Sequence, residues 1–275
     1  MTPPVLEARG VGHSYGTNAV LEDVSVSFRP GELVSLLGPN GCGKTTFLRI
    51  LLGLLPPRQG TALFQGRDIQ SIPRRQYARD VAYVPQIHRT AFPYSVEDVV
   101  AMGRLPHQSL WLHQATRAEH WVEEALARLE IAHLRERAYT EISGGERQLT
   151  LIARALAQGA STLLMDEPTS ALDYGHQVRL LDQLAKLAGQ GLTCIKSTHA
   201  PEHALWVSDR VIMLKEGRVI ADGHPRDQIT PESLHRLYRV NVRVMADADG
   251  HTAFVPCGLG NRVAPESFST GWLAR

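Results

Sequence analysis

The sequence has few cysteines. Cys42, Cys194 and Cys257 are its three cysteines, and they lie far apart without C-x-x-C spacing. A disulfide framework and a zinc site both need clustered or regularly spaced cysteines, so neither is expected. We expect three reduced thiols.

Long apolar runs are also missing. The two longest, FLRILLGLL and LTCIKS, are interrupted by Arg49 and Lys196, and neither approaches the length that spans a bilayer. The first residues, MTPPVLEARG, have neither the basic segment nor the apolar segment of a secretion signal. We therefore expect no transmembrane helix and a cytosolic location.

The chain lacks an excess of charge of one sign. It has 29 Lys and Arg residues against 28 Asp and Glu residues, for a net charge of +1. A dedicated nucleic-acid-binding protein would carry a basic patch, so no nucleic-acid partner is expected. With 275 residues, of which 43% are hydrophobic, the chain is long and apolar enough to build a globular core.

The strongest local signal is the glycine-rich stretch GPNGCGKTT at residues 38–46. It fits the pattern G-x-x-x-x-G-K-[ST], and the alternative is a glycine-rich turn that happens to precede Lys-Thr. Apolar runs on both sides favour a buried strand, a phosphate loop and a helix that starts near Lys44. Backbone N–H groups and the helix N-terminus would then face phosphate oxygens. Lys44 would reach the β- and γ-phosphates, and the Thr45 hydroxyl would bind Mg²⁺.

Hydrophobic periodicity divides the rest of the chain. Strand patterns occur at residues 5–9, 24–28, 61–64 and 81–84, whereas residues 87–157 show mainly helical periodicity. This predicts an α/β core (1–86 and 158–240) with a helical subdomain inserted at about 87–157. The tail at 241–275 carries two short strand patterns around Asp249-Gly250, which predict a β-hairpin.

Later core elements bring further polar residues. The strand STLLMDE ends in Asp166 and Glu167, and the strand LTCI is followed by Ser197, Thr198 and His199. Open parallel sheets bind ligands at the carboxyl ends of their strands. Between these two strands, residues 175–188 have the period of a helix. The residues predicted to face inward on that helix are Val178, Leu181, Leu184 and Leu187.

Seven signals occur along the chain in a fixed order, and together they are highly specific. They are Tyr15, GPNGCGKTT, Gln86, ISGGE (142–146), LLMDE, SALD (170–173) and His199. On these motifs the chain resembles the ATP-binding subunit of ABC transporters over about residues 5–223. The resemblance implies a RecA-like P-loop core of the α/β class, with antiparallel β elements and an inserted α-helical subdomain. It also implies a head-to-tail homodimer that sandwiches each ATP.

The resemblance also implies roles for single residues. Tyr15 would stack on adenine, and Mg²⁺ would be positioned by Thr45, Gln86 and Asp166. The loop residues expected around the nucleotide are Gly38, Pro39, Asn40, Gly41, Cys42, Gly43, Lys44, Thr45 and Thr46. From the opposite chain, the signature residues Ser143, Gly144, Gly145 and Glu146 would face the γ-phosphate, and Asp173 would lie in the loop that crosses the dimer.

Catalysis is expected to depend on Glu167, His199 and Gln86. Hydrolysis of ATP needs a group that orients water, and a carboxylate next to the metal-side Asp166 lies where that water must be. His199 would contact the γ-phosphate as a sensor. The simpler alternatives are a strand-end acid for Glu167 and a structural histidine for His199.

Two residues modify this picture. The signature usually ends in glutamine, and Glu146 takes that place here, with Ile142 for the usual leucine. A carboxylate suits a helix N-terminus but brings negative charge toward the opposite nucleotide, so we expect weaker ATP affinity than is usual in the family. Cys42 lies in an electropositive loop beside a helix start, where the pKa of a thiol tends to fall.

The segment FPYSVEDVVAMGRLPH at residues 92–107 resembles importers for iron-siderophores, haem, cobalamin and molybdate. That likeness implies separate integral membrane permease subunits and, indirectly, a substrate-binding protein. It places the chain at the cytoplasmic face of the inner membrane, bound through the permeases. The alternatives are an export-type subunit, a soluble ABC mechanoenzyme acting on nucleic acid and, less well matched, a P-loop kinase.

Overall fold

A parallel sheet of apolar strands organises the chain. The computed structural model describes residues 3–86, 92–107, 115–170, 172–246 and 252–257. Numbered along the chain, the strands of this sheet lie side by side in the order β10 (Arg218–Gly223), β9 (Arg210–Lys215), β3 (Leu33–Leu37), β8 (Thr193–Thr198), β7 (Thr162–Met165) and β6 (Val81–Val84). Neighbours are parallel except β9 and β10, which form an antiparallel hairpin.

An antiparallel sheet packs against it through α1 (Lys44–Leu51). Its strands, in spatial order, are β2 (Asn18–Phe28), β1 (Leu6–Tyr15), β4 (Gln59–Phe64) and β5 (Arg67–Asp68). In β2, Val24, Val26 and Phe28 are buried and alternate with more exposed residues, as the sequence predicts. The resulting core joins both sheets to the inner face of α1.

The described residues between β6 and β7 are mainly helical. They comprise α3 (Val96–Ala101), a 3₁₀ turn (Met102–His107), α4 (Ala115–Arg128), a 3₁₀ turn (Ala132–Leu134) and α5 (Gly144–Ala157), while α2 (Arg74–Asp80) precedes β6. The buried face of α4 packs on α3 and α5 in one apolar cluster with β7. Residues 87–91 and 108–114 lie outside the described part, and the division into domains stays a prediction.

The remaining helices cover the other side of the parallel sheet and its far end. They are α6 (Tyr174–Gly189), α7 (Pro201–Val207), α8 (Pro225–Gln228) and α9 (Pro231–Tyr238). In α6 the predicted inward positions Leu181, Leu184 and Leu187 are buried, but Val178 is 41% exposed, so that assignment is wrong. The buried stripe is centred near Leu184, and at about 100° per residue Val178 lies roughly a third of a turn away from it.

A β-hairpin ends the described chain. Strands β11 (Val242–Ala246) and β12 (Thr252–Pro256) pair antiparallel. Val242 and Phe254 pack against a cluster that includes Ala204 of α7 and Leu237 of α9. The predicted turn at Asp249-Gly250 and residues 258–275 lie outside the described residues. None of the described helices combines the length and the apolar composition needed to cross a bilayer.

Strand β1 packs closely against β4 at Gly60, and Gly66 provides a comparison. Gly60 and Gly66 both have a left-handed backbone, with φ of 72° and 76°. A Cβ on Gly60 would lie 2.2 Å from the Gly10 carbonyl oxygen, whereas a Cβ on Gly66 would meet nothing within 4 Å. Gly66→Ala should therefore cost only backbone strain, about 1 kcal/mol. Gly60→Ala should add a clash at the bulge in β1 and cost about 2–5 kcal/mol in total.

Urea unfolding of the two variants checks this expectation through the free energy of unfolding. Equal losses for the two substitutions would contradict the close backbone contact at Gly60.

Candidate functional site

The loops after three parallel strands meet at one edge of the sheet. Leu37, the last residue of β3, pairs with Thr198 of β8, and Met165, the last residue of β7, pairs with Lys196 of β8. Because the strands run parallel, the segments that follow β3, β7 and β8 emerge side by side. The sequence motifs at these strand ends are thus brought together, as expected for a ligand site on an open parallel sheet.

The glycine-rich loop after β3 depends on its glycines. A Cβ on Gly38 would lie 2.3 Å from the Leu214 carbonyl oxygen, which no larger residue tolerates. Gly43, with φ of 107°, is the N-cap of α1, so the loop turns directly into the helix. Lys44 is buried, and its Nζ donates hydrogen bonds to the carbonyl oxygens of Gly38 (2.6 Å) and Pro39 (3.1 Å). The loop therefore wraps around the Lys44 ammonium group and is held by these two hydrogen bonds.

A polar cavity of about 330 Å³ lies beside this loop. It is lined by Val20, Asn40, Gly41, Gly43, Lys44, Thr45, Thr46, Gln86 and Glu167. Backbone amides at the N-terminus of α1 and the Lys44 ammonium give this cavity a positive side, which suits phosphate groups. The sequence does not predict Val20 as part of the site, because nothing local marks a half-buried β2 valine as a neighbour of a loop about 20 residues later.

Cys42 does not behave as expected from its position in the loop. Its side chain is buried, 5% exposed, beneath the loop. Burial raises the pKa of the Cys42 thiol, and the nearby Lys44 charge only partly offsets this. The expected fall of the thiol pKa is therefore wrong, because desolvation outweighs the positive charge.

Three polar side chains of the site contact the Glu167 carboxylate. Its Oε1 lies 3.5 Å from Lys44 Nζ, and its Oε2 accepts a hydrogen bond from Gln86 Nε2 at 3.2 Å. His199 Nδ1 lies 3.3 Å from the same Oε2. The backbone of Glu167 is left-handed, with φ of 45°, which is uncommon for a residue with a side chain and is enriched at functional sites.

Ser197 links the two adjacent acids, although no sequence motif assigns it a role. Its Oγ donates to Asp166 Oδ1 at 2.7 Å and accepts the backbone N–H of Glu167 at 2.8 Å. Asp166 itself is 3% exposed. A serine at the end of the neighbouring strand is the signal that could have revealed this contact, because strand ends of a parallel sheet share one edge.

The oxygen donors at this edge fit Mg²⁺. Thr45 and Gln86 line the cavity and carry a hydroxyl and an amide oxygen, and Asp166, which does not line it, carries a carboxylate at the adjacent strand end. Mg²⁺ prefers oxygen ligands from one or two carboxylates together with substrate phosphates and water. The donor set therefore suits the predicted ion.

Tyr15 does not lie with the residues that surround Glu167 and the cavity. It is the last residue of β1, is 47% exposed, and packs edge-on against His13 with ring centroids 4.9 Å apart. It is not among the residues that line the cavity, although Val20 of the adjoining β2 strand is. The exposed ring is available for stacking, and its role at adenine stays a prediction.

Residues 143–146 form a second group with Asp173. Ser143 caps α5: its Oγ accepts the Glu146 N–H, and Glu146 Oε2 accepts the Ser143 N–H at 2.7 Å. These hydrogen bonds lower the pKa of Glu146, so it stays ionised. Gly144 begins α5. The lining of the phosphate-side cavity, within the described residues, contains none of this group.

His176 joins the two parts of the second group. Asp173 accepts hydrogen bonds from the His176 backbone N–H (2.9 Å) and from its Nδ1 (2.7 Å), and these bonds lower the pKa of Asp173. A Cβ on Gly145 would lie 3.4 Å from the His176 ring, so the ring packs against the start of α5. His176 has no motif of its own in the sequence. Ala171, in the same loop, lies outside the described residues.

Comparisons with known proteins agree with this geometry. A family model described as ABC transporter matches residues 21–170. The hemin import ATP-binding protein HmuV of Pseudomonas entomophila is 37% identical over 257 residues, 91% of this chain and 99% of the relative. The ferric enterobactin transport ATP-binding protein FepC of Escherichia coli is 34% identical over 271 residues, 97% of this chain and 99% of the relative.

A solved structure gives the same answer for the fold. An inward-facing ABC transporter of the metal-chelate type matches with a TM-score of 0.82 and 31% identity, over 92% of this chain and 98% of that chain. The predicted RecA-like P-loop fold of the α/β class is confirmed. The chain therefore belongs to the ABC transporter family, as an ATP-binding subunit with ATPase activity.

Proposed function

We propose that this chain hydrolyses ATP at the sheet edge around Glu167 and thereby drives import of a metal chelate through separate membrane permease subunits. The observation that carries the proposal is the convergence of Lys44, Gln86 and His199 on one carboxylate, each within 3.5 Å of it. A phosphate loop and a water-orienting acid are the two parts that phosphoryl transfer to water requires.

Binding of ATP uses the loop and the N-terminus of α1. The triphosphate occupies the cavity beside Gly41 and Gly43, where backbone N–H groups and the helix dipole favour negative charge. Lys44 turns from the loop carbonyls to the β- and γ-phosphate oxygens. Thr45, Gln86 and Asp166 would hold Mg²⁺, which would neutralise phosphate charge.

In the chemical step, Glu167 orients a water molecule toward the γ-phosphorus. The water oxygen forms a bond to phosphorus, the bond to the β–γ bridging oxygen breaks, and the products are ADP and inorganic phosphate. A proton leaves the water toward the Glu167 carboxylate or the phosphate oxygens. Gln86 and His199 fix this carboxylate from two sides, so that positioning supplies much of the rate enhancement.

A head-to-tail homodimer explains the second group of residues. Gly145 and Asp173 both contact His176, and neither they nor Ser143 line the cavity of their own chain. In the proposed dimer, this group reaches the γ-phosphate bound by the other chain. Two ATP molecules are then enclosed between the two chains.

An apolar groove supplies the surface for a membrane subunit. The groove has a volume of about 560 Å³, and Leu54 and Leu105 at its edge are 55% and 59% exposed. Its other apolar lining residues include Leu52, Ile69, Ile72, Met102 and Pro106. Exposed apolar surface of this size marks an interaction site in many proteins. We propose that a helix of the permease binds here.

The groove also connects the proposed partner to the catalytic side of the molecule. The 3₁₀ turn that forms one wall is held at Pro106, whose carbonyl oxygen accepts hydrogen bonds from Arg75 and Arg79, each at 3.1 Å. Arg104 of the same turn donates to the Ala157 carbonyl oxygen at the end of α5. Movement of α5 on ATP binding would therefore shift the wall of the groove.

The names of the relatives support the proposed substrate class. The Pseudomonas relative is named for hemin import and the Escherichia coli relative for ferric enterobactin transport. These names favour a metal chelate over the oxyanion molybdate, which the sequence left open. An export-type subunit would bind a different membrane protein, and a mechanoenzyme would bind nucleic acid. The proposed location is the cytoplasmic face of the inner membrane, reached through the permeases.

The first prediction concerns the catalytic acid. Glu167→Gln removes the carboxylate but keeps its size, so kcat should fall about 10²- to 10⁴-fold while ATP still binds. Without hydrolysis, the ATP-bound dimer should remain assembled on the permease. Tagged Glu167→Gln protein, extracted from host membranes in mild detergent with Mg-ATP, should recover a many-spanning permease at near equal stoichiometry.

A groove variant provides the control for this experiment. Leu105→Asp places a charge on an exposed residue of the groove and should not disturb the buried core. In the Glu167→Gln background it should lose the permease yet keep ATP-driven dimerisation. Recovery of a soluble dimer without a permease, or of nucleic acid or ribosomes, from the Glu167→Gln protein would contradict the importer assignment.

The second prediction concerns Glu146. Its ionised carboxylate lies beside the residues that face the opposite nucleotide, and Glu146→Gln removes the charge while an amide oxygen can still accept the Ser143 N–H. We expect ATP-driven dimerisation in the Glu167→Gln background to tighten by about 2- to 5-fold, the size of one partly screened charge interaction. Light scattering during an ATP titration measures this change.

Glu141→Gln is the matched control, because Glu141 is exposed and lies just before the signature. It should leave dimerisation unchanged. An equal response to both substitutions would mean that only the net charge of the chain matters.

A further inference from the structure

Helix α9, the last of the described helices, contacts the segment that carries His199. The hydroxyl of Tyr238, the last residue of α9, donates a hydrogen bond to the His199 carbonyl oxygen at 2.9 Å. The two residues are 39 positions apart in the chain. Neither the motifs nor the proposed mechanism gives Tyr238 a role.

His199 lies in a short link that is weakly held on its own. Strand β8 ends at Thr198, and α7 begins at Pro201 with Ala200 as an N-cap that makes no side-chain capping hydrogen bond. The Ala200 N–H donates to Thr198 Oγ1 at 3.1 Å. The His199 side chain is 53% exposed and touches Glu167 through its Nδ1. Its orientation therefore depends on what fixes the backbone of the link.

Beyond the link, the first turn of α7 is tied to the core. His203 Nδ1 lies 3.3 Å from Thr169 Oγ1, in the loop that follows Glu167. Lys196 Nζ donates to the His203 carbonyl oxygen at 3.4 Å. Burial lowers the pKa of His203 to about 4, so its ring is neutral and suited to this contact. The helix after the link is thus anchored, and Tyr238 acts on the link itself.

Tyr238 is itself firmly placed. Helix α9 starts at a capping box formed by Thr230 and Ser233, and it buries Leu234 and Leu237. Near its end, Lys215 Nζ donates to the Arg236 carbonyl oxygen at 2.6 Å. Burial, with nearby acidic groups, raises the pKa of Tyr238, so the phenol stays protonated and able to donate. A rigid donor therefore points at the His199 carbonyl.

We propose that Tyr238 is a positioning residue for ATP hydrolysis, which holds the His199 backbone so that the imidazole stays directed at Glu167. The inference rests on the role proposed for His199. Through this hydrogen bond, the C-terminal part of the chain contributes to the geometry of the catalytic edge. Tyr238 acts through His199 and need not touch ATP.

The test compares steady-state ATP hydrolysis by the wild-type chain and the Tyr238→Phe variant, which lacks only the hydroxyl. We expect kcat to fall about 2- to 10-fold, the rate change equivalent to one neutral hydrogen bond, with the KM for ATP within about twofold. The phosphate loop is untouched, which is why KM should hold. Lys215→Met removes a second hydrogen bond to α9, but the capping box and the buried Leu234 and Leu237 still hold this helix, so kcat should stay within about twofold.

A double-mutant cycle shows whether the hydroxyl acts through the histidine. In a His199→Ala background, measured with radiolabelled ATP, Tyr238→Phe should cause no further loss. An unchanged kcat for Tyr238→Phe alone would overturn the inference, as would equal losses for Tyr238→Phe and Lys215→Met. A further loss in the His199→Ala background would also overturn it. By contrast, a His199→Ala variant with wild-type kcat would remove the proposed role of His199 itself.

Discussion

The site depends on surrounding one largely buried carboxylate with polar partners at the edge of a parallel sheet. The Glu167 side chain is 12% exposed, and burying a carboxylate is costly unless partners compensate for it. Lys44, Gln86 and His199 supply that compensation from the segments after β3, β6 and β8. Each partner reaches Glu167 only if its strand lies in register with β7. The chemistry of the site therefore requires this order of the strands.

Local patterns were sufficient for much of the fold. Glycine placement and periodicity within a few residues predict the phosphate loop, the start of α1 near Lys44 and the strand Val81–Val84. Glu167 and His199 could also be placed at one edge, because parallel strands share the direction of their ends. The resemblance to a family added roles that no periodicity could provide.

The remaining features depend on contacts that are not local. Predicting the Ser197 hydrogen bonds requires the register of β8 on β7. Predicting the raised pKa of Cys42 requires knowing that its side chain is buried. The prediction that Val178 faces inward is wrong because tertiary packing sets the position of the buried stripe on α6. The contact of Tyr238 with His199 joins segments that no motif connects. Burial and register, more than element type, limit what this sequence reveals.

The position of β3 has a consequence for how the chain is made. This strand, whose residues are all buried, pairs with β8 and β9, which are synthesised more than 150 residues later. Until residue 198 has left the ribosome, the apolar strand that leads into the phosphate loop has neither of its neighbours, and the second neighbour is complete only at residue 215. Such long-range pairing slows folding and leaves apolar segments open to aggregation during synthesis. The nascent chain therefore depends on its second half to protect its first.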